Sequence, residues 1–234
     1  MHIIKQTAIV ISIEMHKIFR AGFIPISAAA FLFLLLVKHG QNWADFTNSG
    51  LMFIVALIGL VGFGALSSWV FAQEFTAQTF KDLLALPISR KTIIAGKMLA
   101  IELSELAITV LEVLLLLGTG WLWLRTPIPA GQWHLITLVV PRTFVYNVLL
   151  SLVWPFIASL TRSVLIPTAL SFATMIVAVM FAGQTVGQYI PWVIPSYDLA
   201  NPGFSSSIGY LLIMLIGLIG IYGTIYVWTV KDQQ

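Results

Sequence analysis

Long uninterrupted runs of apolar residues dominate the chain, and short polar stretches separate them. The runs are continuous rather than alternating at every second residue, which indicates helices rather than strands. A bilayer core of roughly 30 Å needs about 20 apolar residues per helical crossing. Six runs come close to that length or exceed it, and they predict an all-α integral membrane protein with six transmembrane helices. The predicted spans lie at about 21–37, 50–71, 93–122, 135–160, 164–181 and 208–230.

The first 20 residues form a separate element ahead of the first span. Their apolar residues recur at helical spacing, whereas polar and charged residues collect on another face. One interpretation is an interfacial helix that lies along the membrane surface. The other is a cytoplasmic continuation of the first span. The apolar stripe comprises Ile4, Ala8, Ile11, Met15 and Ile18.

The polar interval at 73–97, between the second and third spans, carries much of the charge of the chain. Residues 76–86 within it have the pattern of a short amphipathic helix. Phe80, Leu83 and Leu84 follow the i, i+3, i+4 spacing and therefore share one face of that helix. An apolar stripe that faces water at the membrane surface predicts a docking surface for a soluble partner. A plain solvated loop is the alternative.

Two residues define where this short helix ends and where the next helix begins. Pro87 cannot continue a helix, and it disfavours helical geometry at the residue before it. Ser89 is placed to cap the helix that leads into the third span. The interval is therefore predicted to contain a short helix that ends before Pro87, followed by a second helix that begins after Ser89.

The segment at 182–206 contains several prolines and aromatic residues and is too proline-rich to span. We interpret it as an interfacial or partly re-entrant cap. The whole chain is predicted to be a single transmembrane domain. Its parts are 1–20 (interfacial helix), 21–72 (spans 1 and 2), 73–97 (polar loop), 98–181 (spans 3 to 5), 182–206 (outer loop) and 207–234 (span 6 and C-terminus).

Composition narrows the chemistry that the chain can perform. Hydrophobic residues make up 59% of the chain, charged residues 9%, and the mean hydropathy is +0.97, values that exclude an ordinary soluble domain. There is no cysteine, which excludes a disulfide, a thiolate metal site and a cysteine nucleophile. A net charge of +3 in so apolar a chain indicates basic membrane loops and not a nucleic-acid partner.

The basic residues are distributed unequally between the two predicted sides. Because cytoplasmic loops carry an excess of Lys and Arg, the richer side is predicted to be the cytoplasm, with both termini inside. Lys38 and Arg125 lie on the opposite side, and Arg142 lies near that boundary. The richer side holds Lys5, Lys17, Arg20, Lys81, Arg90, Lys91, Lys97, Arg162 and Lys231.

The common catalytic motifs are missing from the sequence. The Gly96–Lys97 pair is followed by Met98 and lacks the earlier glycine of a phosphate-binding loop. Neither H-E-x-x-H nor G-x-S-x-G occurs. The four histidines are scattered over both predicted sides, so no metal site is expected. We therefore predict a protein that is not an enzyme, with no catalytic residue and no bound cofactor of its own.

Three glutamates in the third predicted span share one helix face. Glu102, Glu105 and Glu112 stand at i, i+3 and i+10. Ionisable residues in a span usually face a bundle interior or a water-filled cavity, which predicts a translocation path or a proton-coupled site. Alternatively, Glu102 and Glu105 reach the cytoplasmic headgroups or pair with basic residues there. Glu112 lies deeper, about 22 Å along the helix from Lys97, and is predicted to be buried.

The pattern E-F-x₃-T-F-K-D-L-L-x-L-P-I-S-R-K-x-I-I-x₂-K, at 74–97, resembles the cytoplasmic loop of ABC type 2 exporter permeases. It is similar to the branch that contains bacitracin-resistance and lantibiotic-immunity permeases. In that family the loop forms a coupling helix, which docks on a separately encoded ATPase. Gln78 stands where the family often has glycine. The resemblance assigns ATPase coupling to Glu74, Phe80, Lys81, Leu83, Leu84, Pro87, Ser89, Arg90 and Lys97.

The resemblance implies a bacterial plasma membrane as the location, and it implies partners and a cargo class as well. Two permease subunits, identical or paralogous, form the pathway in the bilayer, while ATP and Mg are held by the partner ATPase. The cargo implied is an antimicrobial peptide, an antibiotic or a lipid-like compound. Two other functions stay open on the residues alone: an ion-coupled carrier that acts through the three glutamates, and a membrane sensor or scaffold without transport.

Overall fold

The computed structural model describes residues 2–38, 40–80, 87–202 and 206–230. Within those ranges the regular secondary structure is helical and no strand occurs, so the predicted all-α class is confirmed. The helices are α1 (His2–Arg20), α2 (Phe23–Val37), α3 (Trp43–Thr76), α4 (Arg90–Leu124), α5 (Ala130–Ser151), α6 (Val153–Thr161), α7 (Leu165–Phe181), a 3₁₀ helix (Thr185–Tyr189), α8 (Ile194–Ala200) and α9 (Ser207–Thr229).

Three described stretches are long and apolar enough to cross a membrane: Trp43–Thr76, Ala130–Thr161 and Ser207–Thr229. α1 and α2, bent by 45° from each other, meet the same criterion as a pair and raise the number to four. α7 is apolar but has only 17 residues. Six crossings, and the placement of α1 in the membrane interface, stay predictions.

The second predicted span is longer than its apolar run. α3 is one helix of 34 residues that ends at Thr76, whereas the sequence pattern placed the start of a new amphipathic helix there. Its middle, Phe53–Gly62, is wound as a π-helix. The predicted capping of the next helix is confirmed, because Ser89 Oγ accepts a hydrogen bond from the Thr92 amide at 3.1 Å.

The fourth predicted span is broken at Leu152, between α5 and α6. The break lies one turn before Pro155, whose nitrogen cannot donate to the carbonyl of Ser151. Arg142, a charged residue within the same apolar run, does not break the helix. Arg142 lies within the continuous helix α5, where its guanidinium pairs with Asp198.

Residues 182–202, which we call the outer segment after the predicted outer loop, form a packed cap held by that ion pair. Arg142 Nη1 lies 3.1 Å from each carboxylate oxygen of Asp198, which lies in α8 and is fully buried. Trp192 packs 6.4 Å from Trp154 of α6, measured between ring centroids. These contacts join the segment between α7 and α9 to α5 and α6.

Three apolar clusters form the core. One lies at the end of the bundle that carries the polar loop, and it includes Ile18, Phe71, Ile101 and Trp228. A second lies at the opposite end, around Phe31, Leu35, Trp43, Leu116 and Ile136. The third joins α3, α5 and α9 to the outer segment. Large apolar side chains also cover the outer surfaces of α4, α7 and α9, as expected for helices that face lipid.

The predicted stripe of α1 is buried only in its second half, where Ile11 and Met15 pack against the core. Val10, Glu14 and Ile18 are the buried residues, whereas Ile4 is 75% exposed. Gly96 of α4 lies against Val10, where a Cβ atom at the glycine would approach the valine Cγ1 to 2.5 Å. The buried face of α1 is therefore rotated from the predicted stripe toward Val10 and Glu14.

Candidate functional site at the base of the polar loop

Four charged side chains from three helices meet where the polar loop joins the bundle, and we call Glu14, Lys17, Glu74 and Lys97 the ion cluster. Lys97 Nζ lies 2.9 Å from Glu74 Oε1 and 3.1 Å from Glu14 Oε1. It also donates to the carbonyl of Val70 at 3.1 Å. Lys17 Nζ lies 3.0 Å from the same two carboxylate oxygens. Two ammonium groups thus balance two carboxylates.

The ion cluster is largely shielded from solvent. The side chain of Lys97 is 0% exposed, that of Glu14 3% and that of Glu74 6%. Lys17, on the solvent side of the cluster, is 37% exposed. Removing one partner of a buried pair leaves the other charge uncompensated, which costs about 3–5 kcal/mol. The cluster therefore holds α1, the end of α3 and the start of α4 in one arrangement.

The turn that leaves α3 is tied to the same carboxylate. Thr79 Oγ1 donates to Glu74 Oε2 at 2.7 Å, and the Thr79 amide donates to the Glu74 carbonyl at 3.0 Å. Gln78, before it, has a φ of 57°. This left-handed conformation is the one that glycine adopts most readily after a helix. The departure from the family pattern noted at Gln78 therefore falls where the backbone favours glycine.

Beside the ion cluster lies an aromatic cluster, which consists of Phe71, Phe75, Phe80 and Trp228. Phe75 and Phe80 stack with centroids 4.4 Å apart. The indole of Trp228 meets the edges or faces of Phe71 and Phe80 at 5.4 and 5.1 Å. The guanidinium of Arg162 lies 5.6 Å from the Phe75 centroid. Phe80, the first residue after the turn that ends α3, is therefore packed on α9.

The residues assigned to ATPase coupling occupy different environments. Glu74 and Lys97 are bound to one another inside the protein, and Phe80 is part of the aromatic cluster. Arg90 Nη1 donates to the Trp228 carbonyl at 2.9 Å. Pro87 and Ser89 are exposed. Lys81, Leu83 and Leu84 lie outside the described residues, so the predicted docking stripe is represented only by Phe80.

The three glutamates of α4 are not equivalent. Glu102 is partly exposed, whereas Glu105 and Glu112 are buried. Glu105 Oε1 accepts a hydrogen bond from Ser67 Oγ of α3 at 3.3 Å, and Ser151 of α5 is within reach of the same carboxylate. Glu105 Oε2 and both Glu112 oxygens receive no hydrogen bond from the residues that the structure describes. The predicted burial of Glu112 is confirmed. No contact of its carboxylate with the described residues identifies a role in transport.

A further buried polar contact lies against the π-helical part of α3. Asn147 Nδ2 donates to the Val55 carbonyl at 3.1 Å. A Cβ atom at Gly59 would overlap the Asn147 amide. π-helical turns are often found at functional sites. Here the side-chain amide of Asn147, from α5, packs against the wider turn and donates a hydrogen bond to it.

Sequence reasoning missed Glu14, Lys17, Trp228 and Asn147 as candidates. For Glu14 a signal was present: it is one of only nine acidic residues, and it stands between apolar neighbours in an amphipathic helix. Trp228 carried no such signal, because a tryptophan at the end of a span is typical of a membrane interface. In the described part of the chain, no group of three or more His, Asp or Glu side chains could hold a metal ion.

Helices with apolar outer surfaces, packed around buried ion pairs and small residues, are the features of an integral membrane protein. Residues 10–180 match the family described as ABC-2 family transporter protein. This match covers more than half of the chain, and the chain belongs to that family. The family supplies transmembrane subunits rather than catalytic ones.

A curated relative is similar over part of its length. A 62-residue stretch, 26% of this chain, is 34% identical to the bacitracin transport permease protein BCRB of Bacillus licheniformis. The match spans 28% of the length of that protein. Both comparisons support the predicted resemblance to an ABC type 2 permease.

Proposed function

We propose that this chain is the permease subunit of an ATP-driven ABC exporter. It forms the translocation path and takes up motion from a separate ATPase, which holds ATP and Mg. The observation that carries the proposal is the ion cluster. Glu74 at one root of the polar loop and Lys97 at the other are bound to each other at 2.9 Å and to α1. A loop anchored in this way passes a push to three helices together instead of absorbing it.

The topology that we propose has six crossings and both termini in the cytoplasm. The spans are α2 with α1 leading into it, α3, α4, α5 with α6, α7, and α9. The grouping of Lys17, Lys97, Arg90 and Arg162 at the loop end supports a cytoplasmic position for this end, since Lys and Arg are enriched there.

The partners follow from this function. A second permease subunit, identical or paralogous, completes the path, and the ATPase docks on the polar loop between α3 and α4. The cargo class is an antimicrobial peptide, an antibiotic or a lipid-like compound, in line with the bacitracin transport permease to which part of the chain is similar.

The test begins with affinity purification of the chain from its native membrane and identification of any nucleotide-binding subunit that comes with it. The complex is then reconstituted into liposomes, and ATP-dependent movement of fluorescent bacitracin is measured. Leu83→Glu with Leu84→Glu should abolish transport while ATP hydrolysis continues, whereas Leu83→Met with Leu84→Met should behave as wild type. Uphill transport by the chain without an ATPase would refute the proposal.

A second candidate function is favoured by the unpartnered carboxylate of Glu112. An ion-coupled carrier would use Glu112, with Glu105 and Glu102, to exchange a proton during transport. Such a carrier would move cargo under a pH gradient without ATP, and Glu112→Gln would stop it. Under the exporter proposal, Glu112→Gln leaves ATP-driven transport in place.

A further inference from the structure

Trp228 lies near the end of the last helix and is completely buried. Its indole contacts Phe71 and Phe75 of α3 and Phe80 of the polar loop, at centroid distances of 5.4, 6.1 and 5.1 Å. Three rings around one indole in edge-to-face geometry fix the position of that indole, because aromatic pairs prefer this arrangement over other orientations.

Two hydrogen bonds extend these contacts to other helices. Trp228 Nε1 donates to Ser159 Oγ of α6 at 2.8 Å. The Trp228 carbonyl accepts a hydrogen bond from Arg90, the first residue of α4, at 2.9 Å. One residue therefore contacts α3, the loop, α4 and α6 at the same time.

α9 and α6 are packed too closely to slide past one another freely. A Cβ atom at Gly220 would overlap the backbone of Leu152. A Cβ atom at Gly223 would come within 2.6 Å of the Phe156 ring. Because close-packed interiors transmit displacement instead of compressing, a movement at Trp228 carries α9 and α6 together.

We propose that Trp228 is the positioning residue that transmits movement of the polar loop to α9 and α6. The assignment rests on the proposed function, in which an ATPase drives the loop. The ion cluster passes movement to the first half of the chain, α1, α3 and α4, and Trp228 passes it to the second half.

α6 also forms one wall of an apolar cavity of about 320 Å³, lined by Trp154 and Ile157, by residues of α7, and by Trp192. Movement of the loop would therefore change the shape of that cavity.

The first experiment compares Trp228→Ala with Trp121→Ala in the complex with its ATPase. Trp121 is 62% exposed, lies at the opposite end of the bundle, and serves as the matched control. ATPase binding, ATP hydrolysis and transport are measured separately. We expect Trp228→Ala to keep binding and hydrolysis within about twofold, while transport per ATP hydrolysed falls at least tenfold. Trp121→Ala should not change that ratio.

A second pair of variants keeps the test decisive if Trp228→Ala does not fold. Trp228→Phe and Ser159→Ala each remove the indole hydrogen bond. Trp228→Phe also makes the aromatic side chain smaller, whereas Ser159→Ala changes the side-chain volume little. Ser159→Ala should lower transport per ATP about two- to fivefold and Trp228→Phe at least as much. The double variant should be no worse than Trp228→Phe alone, because Ser159→Ala removes the bond that Trp228→Phe has already removed. Additive losses would overturn the assignment.

The outcomes separate this inference from the proposed function. If the wild-type complex transports and Trp228→Ala transports equally well per ATP, only the role of Trp228 is refuted. The role is also refuted if Trp228→Ala loses ATPase binding together with transport, since that result indicates a docking or structural residue. If no ATPase subunit binds the wild-type chain, the proposed function and this assignment fall together.

Discussion

Lys97 depends entirely on protein atoms to compensate its charge. Its ammonium is fully buried between Glu14, Glu74 and a backbone carbonyl. Lys91, six residues earlier on the same helix, is exposed. Two lysines that look alike in the sequence therefore have different energetic roles.

We expect Lys97→Met to lower the free energy of unfolding by about 3–5 kcal/mol, because it leaves two buried carboxylates with one partly exposed ammonium. The matched change Lys91→Met should alter it by less than about 0.5 kcal/mol. Denaturant unfolding in detergent micelles measures both. Equal stability of the two variants would contradict the importance of the ion cluster.

Gln78 carries a backbone strain that can be relieved. An L-residue in the left-handed region costs about 1–2 kcal/mol relative to its relaxed conformation, and glycine does not. Gln78→Gly should therefore raise the thermal midpoint, by the equivalent of about 1 kcal/mol. Ala77, with φ of −80°, provides the control. Ala77→Gly should lower the midpoint, so the two neighbouring glycines are expected to act in opposite directions.

At the scale of elements, packing depends on small residues in the long helices. α3 contains Gly59 against the Asn147 amide and Gly64 against Ser171. α9 contains a face of buried glycines, among them Gly209, Gly217 and Gly220. Small residues allow helix backbones to approach closely in a membrane, where apolar burial alone does not hold helices together.

Gly220→Ala should destabilise the protein by about 1–3 kcal/mol, because its methyl group overlaps the backbone of Leu152 rather than a movable side chain. Gly118→Ala is the matched change in α4, where nothing lies within 4 Å of an added Cβ atom. It should be neutral or stabilising by up to about 1 kcal/mol, since alanine is the better helix former. Thermal unfolding followed by size-exclusion chromatography distinguishes them. A similar midpoint for both would argue against close packing of α9 on α6.

At the scale of the whole molecule, different contacts hold the two ends of the bundle. The ion cluster and the aromatic cluster form the loop end. At the other end, Trp43 Nε1 donates to the Thr126 carbonyl at 3.1 Å, which joins the start of α3 to the segment after α4. These two ends are the surfaces that would face opposite sides of a membrane.

The absence of cysteine allows this orientation to be tested with single introduced thiols. Lys91→Cys on the loop end should react with a membrane-impermeant maleimide only after the cells are permeabilised. Gly131→Cys at the other end, where an added side chain meets open space, should react in intact cells. Reaction of Lys91→Cys in intact cells would place the polar loop outside and refute the proposed topology.

Much of the fold could be predicted because it follows from local chemistry. The apolar runs predicted helices close to α2, α7 and α9, and the cap at Ser89 was predicted from one hydroxyl and its position. Helix ends were less accurate, as at Thr76, because the polar residues 73–76 continue the α3 helix instead of leaving it. The buried face of α1 was predicted only in part, because nothing near Glu14 in the sequence indicates that Lys97 will compensate its charge inside the protein.

Local residue patterns therefore established the helical membrane class, the position of the polar loop and the family to which it is similar. Those properties depend on hydrophobicity and backbone preferences within a few turns of chain. The ion cluster, the contact of Phe80 with Trp228 and the anchoring of the outer segment by Arg142 became visible only in three dimensions. The partners in these contacts are 57 residues apart in Lys17–Glu74, 56 in Arg142–Asp198 and 138 in Arg90–Trp228. Such pairs form because helix packing brings them together, and no short-range pattern encodes which buried charge or ring will meet which.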